Sequence, residues 1–178
     1  MDPLVLDRAR LAELLEAACA TLSGDWVLLG GALAALTFSA ERVTEDIDLV
    51  PLGAPDGRRD QLMDFALAQS LPLEAVNSAA DFFVRREAAG PEDFEVLREG
   101  ASARILRPTP TLYIVLKCNR MSEADLADCL AQLAEARRAE ATVDVPRILA
   151  RLDRADGASA VNGAHARRAV LRAALLAV

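Results

Sequence analysis

Leu11, Leu14, Leu15, Ala18 and Leu22 recur at intervals of three and four residues. That spacing lays side chains along one face of a helix. Asp2-Pro3 reads as the cap and first turn of this helix, with proline where the N–H has no intrahelical partner. Ser23-Gly24-Asp25 ends it. Trp26 to Leu29 is an apolar run of strand length, and residues 31–39 form a helix of small and apolar residues. From Asp46 to Leu52 polar and apolar residues alternate at first, as on a strand with one buried face. The Pro51 to Gly57 stretch closes that strand, and residues 58–70 return to helical periodicity until Pro72.

Residues 73–107 carry shorter segments between turns. Phe82-Phe83-Val84 and Ala103-Arg104-Ile105-Leu106 have the composition of strands, and Phe94-Glu95-Val96-Leu97 is a third candidate. Thr109-Pro110 is the N-cap and first-turn proline of a helix that holds Lys117. Ser122 caps the next helix, which reaches about Ala139. Residues 143–154 and 160–177 read as two more helices around Asp156-Gly157. The pattern predicts an α/β (α+β) fold. A small mixed sheet flanked by helices occupies residues 1–139, and a C-terminal helical extension occupies residues 140–178.

Composition sharpens this picture. A chain of 178 residues suits one domain with or without a small extension. Hydrophobic residues make up 53% but aromatics only 4%, so Leu, Ala and Val must build the core, which favours helices. No apolar run reaches the ~18 residues of a membrane helix, so no membrane partner is expected. Asp7 and Arg8 cut Leu4-Val5-Leu6 too short for a signal peptide. Cys19, Cys118 and Cys129 are odd in number and lack metal spacing. They read as buried thiols in a reducing cytoplasm. A net charge of −7 argues against generic adhesion to nucleic acid. Arg85-Arg86, Arg98, Arg104 and Arg107 leave room for a local basic surface, although such arginines more often sit on a solvated face.

The chemistry concentrates in residues 28–50. Asp46 and Asp48 are spaced i, i+2, so on a strand they share a face while Ile47 and Leu49 turn to the core. Adjacent carboxylates repel unless a cation or a shared proton offsets them. A hard divalent cation takes such oxygen ligands and shares itself with phosphate. The bland reading is a pair of acids on a solvated strand. Gly30-Gly31 opens a helix where phosphate can approach the backbone N–H groups, or it is a plain strand-to-helix turn. P-loop, zincin, Cys-x-x-Cys and serine-elbow patterns are absent, and the lone His165 reads as surface or packing.

Lys117 is the one lysine among 20 lysines and arginines. A position that keeps lysine where arginine is used everywhere else suggests a need for a compact ammonium. The alternative is a lysine snorkelling from the end of an apolar helix. Asp125 and Asp128 follow at i, i+3 spacing, and Asp125 doubles as the acid of a capping box opened by Ser122.

Gly30-Gly31 followed by the Arg-x-Thr-x-Asp-x-Asp-Leu run from Arg42 to Leu49 resembles the nucleotidyltransferase (polymerase β-like) superfamily. The block from Pro108 to Lys117, with Arg120, Asp125 and Asp128, is similar to the Leu-x-x-x-Lys … Arg … Asp-x-x-Asp block of minimal nucleotidyltransferases related to the AbiE (AbiEii-type) toxins. The two blocks span roughly residues 25–135.

The resemblance implies a nucleotidyltransferase fold and a Mg²⁺- or Mn²⁺-dependent enzyme. It would move a nucleotidyl group from a nucleoside triphosphate to an RNA, protein or small-molecule hydroxyl. A toxin with an antitoxin partner is one setting. Asp46 and Asp48 would hold the metal, Gly30 and Gly31 would cradle phosphates, and Lys117 and Asp128 would serve the chemistry. Arg42 would hold the triphosphate or sit on the surface, and Thr44 would bind phosphate or cap the strand. Such enzymes place a third acid on a neighbouring strand. Here Asp81, before Phe82-Phe83-Val84, and Glu95, between Phe94 and Val96, are the candidates, but no clear apolar-Asp-apolar strand follows Asp48. An inactive nucleotide-binding or protein-interaction module is the alternative.

Overall fold

The apolar run that follows Gly24 lies at the centre of a five-stranded mixed sheet. The structure is a computed structural model describing residues 4–53, 58–78, 80–87, 89–157 and 162–177. It divides into two compact units, Met1–Pro108 and Thr109–Val178. The sequence pattern had placed its boundary after residue 139.

In the first unit, α1 (Arg8–Thr21) leads to β1 (Gly24–Leu29), α2 (Gly30–Thr37), β2 (Ile47–Pro51) and α3 (Arg58–Ala68). Then come β3 (Val76–Asn77), α4 (Asp81–Arg86), β4 (Phe94–Glu99) and β5 (Ala103–Pro108). The strand order is β3-β2-β1-β5-β4. The β1/β2 and β4/β5 pairs are antiparallel, whereas β1/β5 and β2/β3 are parallel. Central β1 is buried from Trp26 to Leu29, as its unbroken apolar run requires. Helix α1 packs on β4 and β5, α2 on β1 and β2, and α3 on β3.

The predicted stripe of α1 is buried at Leu11, Leu14, Leu15, Ala18 and Leu22. The cap expected at Asp2-Pro3 lies outside the described residues. The helix begins at Arg8, where Asp7 accepts from the Arg10 N–H at 2.8 Å. Just before it, Leu6 forms a two-residue bridge with Thr44, so this stretch is extended. The strand expected at Phe82-Phe83-Val84 is instead part of α4. Asp81 pairs with Arg85 at 2.8 Å across one helical turn, and the sheet edge beside β2 is already taken by Val76 and Asn77. Local β-propensity yields to these contacts.

The second unit is helical: α5 (Pro110–Lys117), α6 (Glu123–Arg138), α7 (Val145–Asp156) and α8 (Ala164–Leu176). Thr109, Ser122 and Asp144 cap α5, α6 and α7 through their side chains. Ile114, Cys118, Cys129, Leu133, Ile148, Leu152, Leu171 and Leu175 share one core, so α5 and α6 pack with the two C-terminal helices. No described helix is long and apolar enough to cross a membrane.

Candidate functional site

Two polar clusters stand where the sequence motifs lie, one in each unit. The first is built at the end of the β1/β2 pair. Leu29 is in register with Asp48, and β1 passes directly into α2, so Gly30 falls beside the Asp48 side chain. Gly30 has φ +66°, a left-handed conformation that favours glycine. A Cβ there would also overlap Asp48 Oδ2. At Gly31 a Cβ would stand 3.0 Å from Thr44 Oγ1 and 3.4 Å from Arg42 Nε. The double glycine thus lets the start of α2 lie against three polar side chains.

Thr44 is fixed from both sides. Its backbone exchanges hydrogen bonds of 2.8 and 3.2 Å with Leu6, and its hydroxyl donates to Asp46 Oδ1 at 3.0 Å. Asp46, one residue before β2, is exposed, and Asp48 is half-buried between buried Ile47 and Leu49. Gly30, Gly31, Arg42, Thr44, Asp46 and Asp48 therefore converge on one end of the sheet.

Asn77 joins them by register. Parallel pairing of β3 with β2 sets Asn77 opposite Asp48, on the same face of the sheet. Sequence reasoning passed over it, since a two-residue strand leaves no alternation to read. The two acids considered as a third carboxylate are engaged elsewhere. Asp81 holds Arg85, and Glu95 pairs with Arg107 across β4 and β5 at 2.8 Å.

The second cluster centres on Lys117, the last residue of α5. Its ammonium donates to Asp125 Oδ1 at 3.0 Å and to Asp128 Oδ2 at 2.9 Å, and it lies 5.1 Å from the centre of the Tyr113 ring. The i, i+3 spacing of the two aspartates turns both to the same side of α6, where α5 passes. Asp125 also takes two bonds from the Arg120 guanidinium and two from Ser122, one from its N–H and one from its hydroxyl. Asp125 in turn donates its own N–H to the Ser122 hydroxyl, which completes the capping box.

Burial of Asp125 works against its ionisation. The Arg120 guanidinium, the Lys117 charge and the Ser122 donors outweigh burial and hold the carboxyl well below the usual carboxylate range. Asp128 accepts a longer bond from the Tyr113 hydroxyl at 3.4 Å. Burial pushes the Cys129 thiol of the same helix far up, and in the first unit burial and Glu16 push up Cys19, so neither is a ready nucleophile. His165 is an exposed residue beside Asp156 at 3.2 Å.

Among the described residues no group of three or more His, Cys, Asp and Glu side chains is placed to hold a metal ion. The sheet-end cluster still offers hard oxygen donors, the Asp46 and Asp48 carboxylates and the Thr44 hydroxyl, with Asn77 opposite Asp48 on β3. This donor chemistry fits Mg²⁺ or Mn²⁺, and the backbone at Gly30 carries no side chain to obstruct a ligand. No family model, curated protein or solved structure matches the chain.

Proposed function

We propose that the protein is a Mg²⁺- or Mn²⁺-dependent nucleotidyltransferase of the polymerase β-like kind. It would transfer a nucleotidyl group from a nucleoside triphosphate to an RNA, protein or small-molecule hydroxyl, in the setting of a toxin–antitoxin or abortive-infection system. The observation that carries this reading is the packing of Gly30 against Asp48 and of Gly31 against Thr44 and Arg42. A plain strand-to-helix turn has no need for a carboxylate, a hydroxyl and a guanidinium around its glycines.

In this reading Asp46 and Asp48 hold the metal, which when bound neutralises and orients the triphosphate. Gly30 and Gly31 present backbone N–H groups at the start of α2, a helix without a side-chain cap. Arg42 supplies positive charge to phosphate, and in the helical unit Asp128 steadies the Lys117 ammonium. Asp48→Asn removes one negative ligand at constant size. Calorimetry with Mg²⁺ and each of the four ribonucleoside triphosphates should show binding to the wild type and its collapse in Asp48→Asn. Equal affinity in both proteins, or no binding by the wild type, would sink the proposal.

A second reading, a nucleotide-binding or protein-interaction module without catalysis, has one observation in its favour. The residue opposite Asp48 on β3 is an uncharged asparagine, and Asp81 and Glu95 are held in ion pairs. Pyrophosphate release separates the two readings. Metal-dependent binding without release, across a panel of RNA, protein and small-molecule acceptors, would favour the module.

A further inference from the structure

The helical unit contains an arginine that helix packing alone does not explain. Arg168 of α8 is 1% exposed. Its Nε donates to the carbonyl of Cys118 at 2.8 Å and its Nη2 to that of Asn119 at 2.7 Å. Its third nitrogen, Nη1, reaches Asp156 at 3.1 Å. The neighbouring Arg167 donates from Nε to the Met121 carbonyl and from Nη2 to the Asn162 carbonyl, both at 2.6 Å.

Two consecutive arginines thus take three of the four carbonyls in residues 118–121. This turn joins Lys117, at the end of α5, to Ser122, the cap of α6. Carbonyls at a helix end lack intrahelical partners, and guanidinium groups satisfy them well. The turn is also strained. Met121 has φ +42°, unusual for a residue with a side chain, and that side chain is fully buried. Whatever sets this turn sets the angle between α5 and α6, and therefore where the Lys117 ammonium meets Asp125 and Asp128.

We propose that Arg167 and Arg168 are positioning residues for Lys117, so that α8 is part of the machinery that presents the ammonium. The proposal rests on the nucleotidyltransferase reading for the purpose of that ammonium, but not for the geometry. Burying a guanidinium is costly, and apolar packing commonly gives equal or greater stability. Two adjacent guanidinium forks that together fix three carbonyls give geometric definition that apolar side chains cannot.

The lone lysine makes a direct test available. Protein labelled with ¹⁵N-lysine should give one ¹H–¹⁵N ammonium cross-peak, since a group held by two carboxylates exchanges slowly with water. Arg168→Met and Arg167→Gln should each shift this peak or broaden it away while the far-UV spectrum stays helical. Arg167 is only half-buried, so Arg167→Gln decides the matter if Arg168→Met does not fold. Exposed Val170 lies on the same helix, and Val170→Gly weakens α8 through propensity alone. That variant should leave the peak in place.

A peak unmoved by both arginine substitutions, or moved equally by Val170→Gly, would overturn the proposal. So would the absence of any ammonium peak in the wild type. Adding Mg²⁺ and a non-hydrolysable triphosphate analogue to the wild type addresses the functional reading separately. A peak that ignores the nucleotide would count against that reading and leave the positioning role standing.

Discussion

Replacing Lys117 by methionine should cost the helical unit a large part of its stability. The side chain of Lys117 is only 12% exposed, and those of Asp125 and Asp128 are 1% and 2% exposed. A solvent-exposed pair would contribute ~0–1 kcal/mol. Removing one partner of a buried pair costs about 3–5 kcal/mol, because a charge is left uncompensated. Asp125 would keep its two bonds from Arg120 and the Ser122 donors, and Asp128 would lose the 2.9 Å bond from the ammonium. Part of the cost should come from the lost Lys117–Asp128 bond.

A double-mutant cycle isolates that effect. Lys117→Met/Asp128→Asn swaps that carboxylate for a neutral amide and should recover ~0.5–3 kcal/mol of the loss, the range of coupling expected for residues in contact. Urea unfolding followed by circular dichroism would measure each corner of the cycle. Hydrogen exchange of the α5 and α6 amides would assign the change to this unit. A single-mutant cost below ~1 kcal/mol, or strict additivity of the two substitutions, would refute the reasoning. The result also bears on function. Loss of nucleotidyl transfer in a Lys117 variant counts as evidence for chemistry only at a temperature where the variant stays folded.

Other outcomes follow from the same geometry. Gly30→Ala places a side chain at φ +66° and against Asp48 Oδ2. It should cost at least ~1–2 kcal/mol in thermal unfolding and weaken triphosphate binding, and an unchanged melting temperature would contradict the contact. The Asp125 carboxyl is held well below its ordinary value of 3.8, so the stability it contributes is complete above that pH. That contribution declines as pH falls below about 4 toward the folded-state value. The stability gap between wild type and Asp125→Asn, measured by urea midpoints, should therefore narrow with acidification below about pH 4, and a widening gap would reverse the assignment.

Much of the local structure was legible in the chain. The leucine stripe of α1, the Thr109-Pro110 start of α5 and the Ser122 box of α6 depend on neighbours within a few residues. Period, capping and proline geometry express such short-range physics directly. The candidate site residues of the first unit were likewise marked by their spacing, because i, i+2 carboxylates and paired glycines are local patterns. Local signals misled at Phe82-Phe83-Val84, where β-propensity met an ion pair from Asp81 to Arg85 and a sheet edge already occupied.

Contacts between distant segments were decided only by the tertiary structure. Gly30 meets Asp48 because β1 and β2 pair antiparallel in one register, and a shift of one residue would turn Asp48 to the other face. Asn77 reaches the same face through a parallel pair too short to leave a periodic trace. Lys117 was singled out by composition and by the resemblance of the block that holds it. That its ammonium is bound by both Asp125 and Asp128 depends on the turn at residues 118–121, which Arg168 grips from 50 residues away. Hydrogen bonds over that separation leave no periodicity in a sequence, since they are set by how helices pack and not by what lies next along the chain.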